Sequence, residues 1–342
     1  MSAGVQARVL IVAADDSTAG PLAEGLDRLG WRTITARTEA AAMAAVADLQ
    51  IQAAVIDLST LGGAAGGLAS ALRSACAPRR LPVLAMGAPD PFQKDHGFDL
   101  TLSGPLHPAQ AAMRLECLVR MAVAEEEFEV RIETFAERGH ELEPPQTDPT
   151  PFRVLAIGEP APQFLALSNA LGRNGAEVVG AFTAFTAFDY LHERPFDAVV
   201  LWAGENPHEA LSIAAGLRRN TRLYHTPALL YVPADSQVTA AEAYHRGISD
   251  VASPEHPETD TALRVVELAR AFRRQRAVRA ALEQARGSGL MDAATGLFTR
   301  DLFASHLSRL ARSAEERNRP LSVCMLKVSD RVDLKAPRAG GW

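Results

Sequence analysis

Two stretches of this chain end in side chains of opposite chemistry. Ala53-Ala54-Val55-Ile56-Asp57-Leu58-Ser59 reads as a buried strand with a carboxylate near its end. Pro195-Phe196-Asp197-Ala198-Val199-Val200-Leu201-Trp202 reads as its counterpart and ends in tryptophan. A carboxylate in such a place is a nucleophile able to accept a phosphoryl group. An indole is not. The two halves therefore read as copies of one domain, of which the second has lost its reactive group.

The surrounding elements repeat in step. Arg8-Val9-Leu10-Ile11-Val12-Ala13 and Arg153-Val154-Leu155-Ala156-Ile157-Gly158 open the copies as short apolar runs, the pattern of buried parallel strands. Helical patterns follow, Pro21 to Gly30 and Gln163 to Gly175, and then second strands, Trp31 to Ala36 and Ala176 to Ala181. Fourth strands follow prolines, Pro82 to Met86 and Pro227 to Val232. Strands alternating with helices predict βαβ units and a parallel sheet covered on both faces. The offset from Arg8 to Arg153, about 145 residues, is that of a duplicated domain rather than a solenoid repeat.

Bulk properties narrow the classes. The chain has 342 residues, 47% hydrophobic, with net charge −6, so its bulk charge implies no general attraction to nucleic acid. Its three cysteines, Cys76, Cys117 and Cys324, are too few and too scattered for a disulfide framework, and a reducing cytoplasm is expected. The first residues lack the apolar run of a signal peptide, and no uncharged stretch approaches the roughly 18 residues of a membrane span.

Two long helices stand out. Pro108 to about Phe135 carries Leu118, Met121, Phe128, Ile132 and Phe135 at three- and four-residue spacing, interrupted by Glu125. This predicts a coiled-coil-like seam facing a partner. The run Glu125-Glu126-Glu127 reads as a solvated face. A proline-rich linker, Glu143 to Pro151, follows. The second helix, Pro257 to about Arg286, carries Arg264, Arg270, Arg273, Arg274, Arg276, Arg279 and Arg286 on several faces and reads as a solvated connecting helix. Gly287-Ser288-Gly289 breaks it.

From these residues the chain resembles a pair of response-regulator receiver domains, and its tail resembles the opening of a GGDEF, or diguanylate cyclase, domain. That layout is the PleD type of regulator. The resemblance implies an α/β fold: two tandem CheY/flavodoxin-like receivers, each a parallel five-stranded sheet with helices on both faces, plus an incomplete GGDEF start. The expected boundaries are 1–136 for receiver 1, 137–151 for the linker, 152–287 for receiver 2 and 288–342 for the GGDEF segment.

Receivers phosphorylate themselves on an aspartate, using Mg²⁺ held by two acids after strand one and by the acceptor. In receiver 1 the matching residues are Asp15, Asp16 and Asp57. The rest of the pattern is missing. Gly87 stands for the phosphate-binding Ser or Thr, Gly104 before Pro105 for the lysine before a cis-proline, and Thr101 for the aromatic reporter. The fourth helix is shortened, with Pro89 to Phe98 available. Receiver 2 departs further: Gly158 and Glu159 replace the acid pair, Trp202 the acceptor, Val232 the hydroxyl residue, and Ser253 before Pro254 the lysine.

The tail, Asp292-Ala293-Ala294-Thr295-Gly296-Leu297-Phe298, looks like the GGDEF entry motif, with a helix to about Asn318 and a strand over Pro320 to Leu326 expected after it. Lys327 and Ser329 occupy the places of a cyclase's metal-binding aspartate, and an ammonium there repels cations. No GGDEF turn or inhibitory nucleotide site is recognised in these 342 residues, so cyclic di-GMP is expected only for a full-length form. About fifty residues cannot bury a complete core of that domain. Arg194-x-x-Asp197 has the spacing of the inhibitory site but leads into a receiver strand.

The resemblance implies a non-enzymatic scaffold of two-component and cyclic di-GMP signalling. It would dimerise through its receivers and dock other signalling or adaptor proteins, in cell-cycle-regulated proteolysis. The alternative is a regulator switched by phosphorylation at Asp57. A working cyclase is opposed by Lys327 and the missing turn, and nucleic-acid binding lacks any supporting module.

Overall fold

The computed structural model describes residues 7–327 apart from 62–64, 88–96, 103, 105, 205–206, 234–235, 285–288 and 293. The first sheet contains β1 (Arg8–Val12), β2 (Arg32–Ala36), β3 (Ala53–Asp57), β4 (Val83–Met86) and β5 (Leu100–Leu102), in the order β2-β1-β3-β4-β5. Every pairing is parallel. Helices α1 (Asp16–Arg28), α2 (Glu39–Asp48), α3 (Leu58–Leu61), α4 (Ala65–Cys76) and α5 (Pro108–Ala136) accompany it. Every residue of β3 is buried, which explains its unbroken apolar run up to Asp57.

The second sheet repeats the plan with β6 (Phe152–Ile157), β7 (Ala176–Ala181), β8 (Ala198–Trp202), β9 (Ala228–Tyr231) and β10 (Asp250–Ala252). Its order, β7-β6-β8-β9-β10, is the same doubly wound order with the same parallel pairings. This is the 2-1-3-4-5 order of CheY and flavodoxin. Its helices are α6 (Pro162–Arg173), α7 (Ala184–Glu193), α8 (Pro207–Arg219), α9 (Ala240–His245) and α10 (Glu258–Gln284). Local devices repeat too. Thr38 caps α2 by accepting from the Ala41 N–H, as Thr183 caps α7 by accepting from the Thr186 N–H. Gly30 and Gly175, with φ of 93° and 79°, turn the chain after α1 and α6, a left-handed conformation that costs glycine nothing.

The two domains meet along α5 and α10. Gln110 of α5 donates to Asp250 of β10 at 2.6 Å. In the reverse sense Glu267 of α10 accepts from the Thr101 N–H of β5 at 2.8 Å. The His107 and Tyr244 rings pack 5.1 Å apart across the same boundary. Each domain thus contributes its last strand and last helix to one shared interface.

The helix after the second domain, α11 (Arg300–Glu316), lies against the outer half of α5. Met291 bridges Phe298, and α11 runs along α5 so that Leu302 buries against Phe135. Of the seam predicted on α5, Phe135 thus finds its partner within the chain, while Leu118 packs on the core of the first domain.

Four local expectations change. First, α1 starts at Asp16 rather than Pro21, because Asp15 caps it by accepting from the Ser17 N–H. Second, the glutamate run on α5 is not a solvated face. Glu126 is 6% exposed and takes hydrogen bonds from the Arg80 N–H and from Arg319. Glu125 pairs with Arg80 and Arg274, and Glu127 with Arg131. Third, α10 is more than a solvated connector, since Arg264 and Arg273 are buried in ion pairs with Asp250 and Asp197. Fourth, Pro320 to Leu326 forms no strand. A strand needs a neighbouring edge to satisfy its backbone, and none of the described residues supplies one. Met325 stays 91% exposed.

Candidate functional site

In receiver 1 the three acidic residues lie after β1 and at the end of β3, at the carboxyl ends of the strands where open α/β sheets build sites. Their side chains are variously engaged. Asp15 caps α1. Asp16 forms an exposed ion pair with Arg37. Asp57 is 2% exposed. Its Oδ1 accepts from the Ser59 N–H at 2.9 Å and the Ser59 hydroxyl at 2.7 Å, while Oδ2 has no hydrogen-bond partner.

A divalent cation, implied by the resemblance, would suit that orphaned Oδ2. The remaining donors are not arranged for it. Among the described residues no three acidic, histidine or cysteine side chains converge on one point, and Arg37 holds Asp16. With Asp15 on the α1 cap, Asp16 on Arg37 and Asp57 Oδ1 on Ser59, the site as built does not fit a cation.

The positions that the resemblance assigns to reading out phosphorylation take part in other contacts or are exposed. Gly87 has φ +109° and donates its N–H to the Leu102 carbonyl at 2.9 Å. A serine or threonine there would be strained by the backbone alone. Gly104 is exposed, and its carbonyl contacts His256 Nε2 at 3.1 Å. Pro105 and residues 89–96 of the shortened helix lie outside the described residues. Thr101 carries no ring to swing, and Glu267 holds its N–H across the domain boundary.

Burial pushes the Glu267 carboxyl above the ordinary range, against the pull of Arg114 and the Thr101 N–H. A carboxyl whose folded value is raised binds more protons folded than unfolded. Its contribution to stability is therefore lost as pH rises from about 4.3, the unfolded value, through the raised folded one. Glu267→Gln is expected to flatten this part of the pH dependence of unfolding, measured by urea denaturation at a series of pH values. An unchanged slope would remove Glu267 from the interface energetics.

Receiver 2 holds an aromatic stack where receiver 1 holds Asp57. Trp202 lies flat on Tyr231, with ring centroids 4.3 Å apart and planes 9° from parallel. The edge contact of Phe164 completes the cluster at 6.4 Å. Gly158 has φ +143°, and a Cβ there would fall 2.4 Å from the Trp202 Cβ. Backbone and neighbour both demand glycine, since the atom in the way is the Cβ of residue 202, which any side chain there would carry. Glu159 is exposed. Val232 is buried and donates its N–H to the Ala252 carbonyl. Ser253 Oγ lies 3.2 Å from His256 Nδ1. In the tail Lys327 is exposed, and Ser329 lies outside the described residues.

A buried polar network at the domain boundary escapes a reading of the residues in order. Arg264 brackets Asp250, donating to Oδ2 at 3.0 Å, and Gln110 reaches the same carboxylate. The available signal was an aspartate opening a short apolar strand, a buried charge that must find a partner.

No protein-family model matches the chain, and no curated protein matches it. Solved structures do. One described as a two-component system response regulator/GGDEF domain protein is 16% identical, with 78% of this chain and 99% of that one covered and a TM-score of 0.32. A response regulator from Thermotoga maritima is 22% identical over 35% of this chain and 98% of its own, with a TM-score of 0.30. A signal receiver domain of an HD domain-containing protein from Pseudomonas fluorescens Pf-5 is 17% identical over 38% of this chain and 96% of its own, with a TM-score of 0.34. The fold of the two domains rests on their own strand order and parallel register.

Proposed function

We propose that the chain is a non-catalytic scaffold of two-component and cyclic di-GMP signalling, which acts by displaying rigid receiver surfaces to other signalling or adaptor proteins. The observation that carries this reading is the Trp202–Tyr231 stack in place of an acceptor carboxylate. Packing has replaced chemistry there. The engagement of Thr101 by Glu267 agrees with it, since the strand that would report phosphorylation is already committed to the partner domain. The degeneracy resembles that of PopA-like paralogues, and adaptor work in cell-cycle-regulated proteolysis is the finer form of the proposal. The reading assigns no cyclase activity to the segment carrying Lys327, whose ammonium would repel cations. A homodimer would use faces other than the α5–α10 surfaces, which are paired within the chain.

The second reading, a switch at Asp57, is favoured by one feature. Asp57 Oδ2 is buried without a hydrogen-bond partner, as an oxygen awaiting a ligand would be. Acetyl-phosphate labelling and Asp57→Asn separate the two. The scaffold reading expects the signalling output of the Asp57→Asn variant to match the parent. Loss of both labelling and output would replace it with the switch.

A further inference from the structure

The replaced acceptor site of receiver 2 is a recess as well as a plug. A cleft of about 90 Å³ opens beside Trp202, lined by Phe182, Gly158, Gly204, Glu159 and Glu209 among others. At about 30 Å³ per water, that volume holds the end of one side chain. The absence of a Cβ at Gly158 and Gly204 leaves the indole accessible, since a Cβ at Gly204 would sit 3.4 Å from Trp202 Cδ1. The two ionisable residues among the described lining, Glu159 and Glu209, are both acidic and both exposed. Its wall residue Phe182 is 58% exposed, and Phe185 in the first turn of α7 and Leu165 in the first turn of α6 stand in water at 77% and 60%. Phe182 continues the aromatic cluster, its ring 6.3 Å from Phe164. An exposed apolar group of this kind, rimmed by charge, marks an interaction surface, and aromatic residues are the usual anchors of one.

We propose that this cleft receives an arginine side chain of a partner protein, presented on a segment whose neighbouring apolar residues cover Phe182, Phe185 and Leu165. The charge complementarity is direct, with two carboxylates and no basic residue among the described residues lining the recess. The aromatic wall adds attraction for a cation. A planar guanidinium stacks on rings and forks to carboxylates, which the compact ammonium of lysine does less well. A place that in receivers accommodates an anionic phosphoryl group has become selective for the opposite charge. The inference rests on receiver 2 being a docking domain and names the chemistry docked.

The test uses the full chain and three capped tripeptides, Ala-Arg-Ala, Ala-Lys-Ala and Ala-citrulline-Ala, titrated while the Trp202 indole N–H signal is followed by NMR. The arginine peptide is expected to shift that signal and to bind about three- to tenfold more tightly than the citrulline peptide, with lysine between them. The double substitution Glu159→Gln, Glu209→Gln, at two exposed residues, is expected to abolish that preference while thermal unfolding stays unchanged. Trp202→Leu is expected to remove binding. Equal binding of arginine and citrulline peptides, a preference that survives the double substitution, or no shift at millimolar peptide would each overturn the inference. If the peptides fail while Asp57→Asn keeps full output, this cleft assignment falls and the scaffold reading stands.

Discussion

Arg273→Ala is expected to lower the stability of receiver 2 by about 3–5 kcal/mol, the cost of stranding a buried charge. Arg273 and Asp197 are 7% and 4% exposed and form an ion pair between α10 and the lead into β8. The same guanidinium donates to the backbone carbonyls of Asp148, Thr150 and Pro151, and lies 4.4 Å from the Phe152 ring centroid. One side chain therefore ties the linker, the first strand of receiver 2 and α10 together. Its removal leaves the buried Asp197 carboxylate with only the Arg153 N–H at 3.0 Å and the half-exposed Arg276 at 3.5 Å, and the linker carbonyls without their donor. Urea denaturation of the parent and the variant measures the loss. The double variant Arg273→Ala, Asp197→Ala should lose less than the sum of the single variants, because removing both charges leaves neither stranded. A loss under about 1 kcal/mol for Arg273→Ala would show that the pair is no clamp.

Phe135→Ala is expected to cost about 3–5 kcal/mol where the tail meets α5. Phe135 is fully buried, with Leu302 beside it and the Phe298 ring 6.0 Å away in an edge arrangement. Around this apolar contact the charges are arranged as a zip. His306 lies between Thr134 and Glu127, Arg309 pairs with Glu133 and Glu137, and Arg317 with Glu129. Most of these pairs reach solvent and each contributes little. Burial of the phenyl ring thus does more than any of the ion pairs to hold α11 in place. Limited proteolysis is the measurement: the variant should be cut between α10 and α11 faster than the parent, while both receivers resist. Equal cutting rates would mean that the ion pairs hold the helix without the ring.

Much of this architecture was legible in the residues. The apolar runs at Arg8, Ala53, Arg153 and Ala198 became parallel strands, because a strand covered on both faces needs little besides hydrophobicity. The exchange of Asp57 for Trp202 was visible as a mismatch between two otherwise matched runs. What could not be read was pairing over distance. Glu126 looks like any helix-surface glutamate until Arg317 and Arg319, nearly two hundred residues later, fold back onto it. Asp250 looks like a strand-edge acid until Gln110 and Arg264 close on it. Composition and periodicity report which face is apolar, not which charge will be brought opposite. The tail failed for a related reason. Leu321, Val323 and Met325 have a strand's alternation, but alternation supplies no neighbouring edge, and without one the segment stays open and exposed.

A scaffold of this kind requires Asp57 to be uncoupled from the surface the chain presents. Amide hydrogen exchange of the full chain, with and without acetyl phosphate and Mg²⁺, addresses this at the Thr101 N–H held by Glu267. Unaltered protection over Leu100–Leu102 and along α5 and α10 is the predicted result, whether or not Asp57 takes up phosphate. Loss of protection at those strands and helices on phosphorylation, absent in Asp57→Asn, would show a working switch and contradict the scaffold.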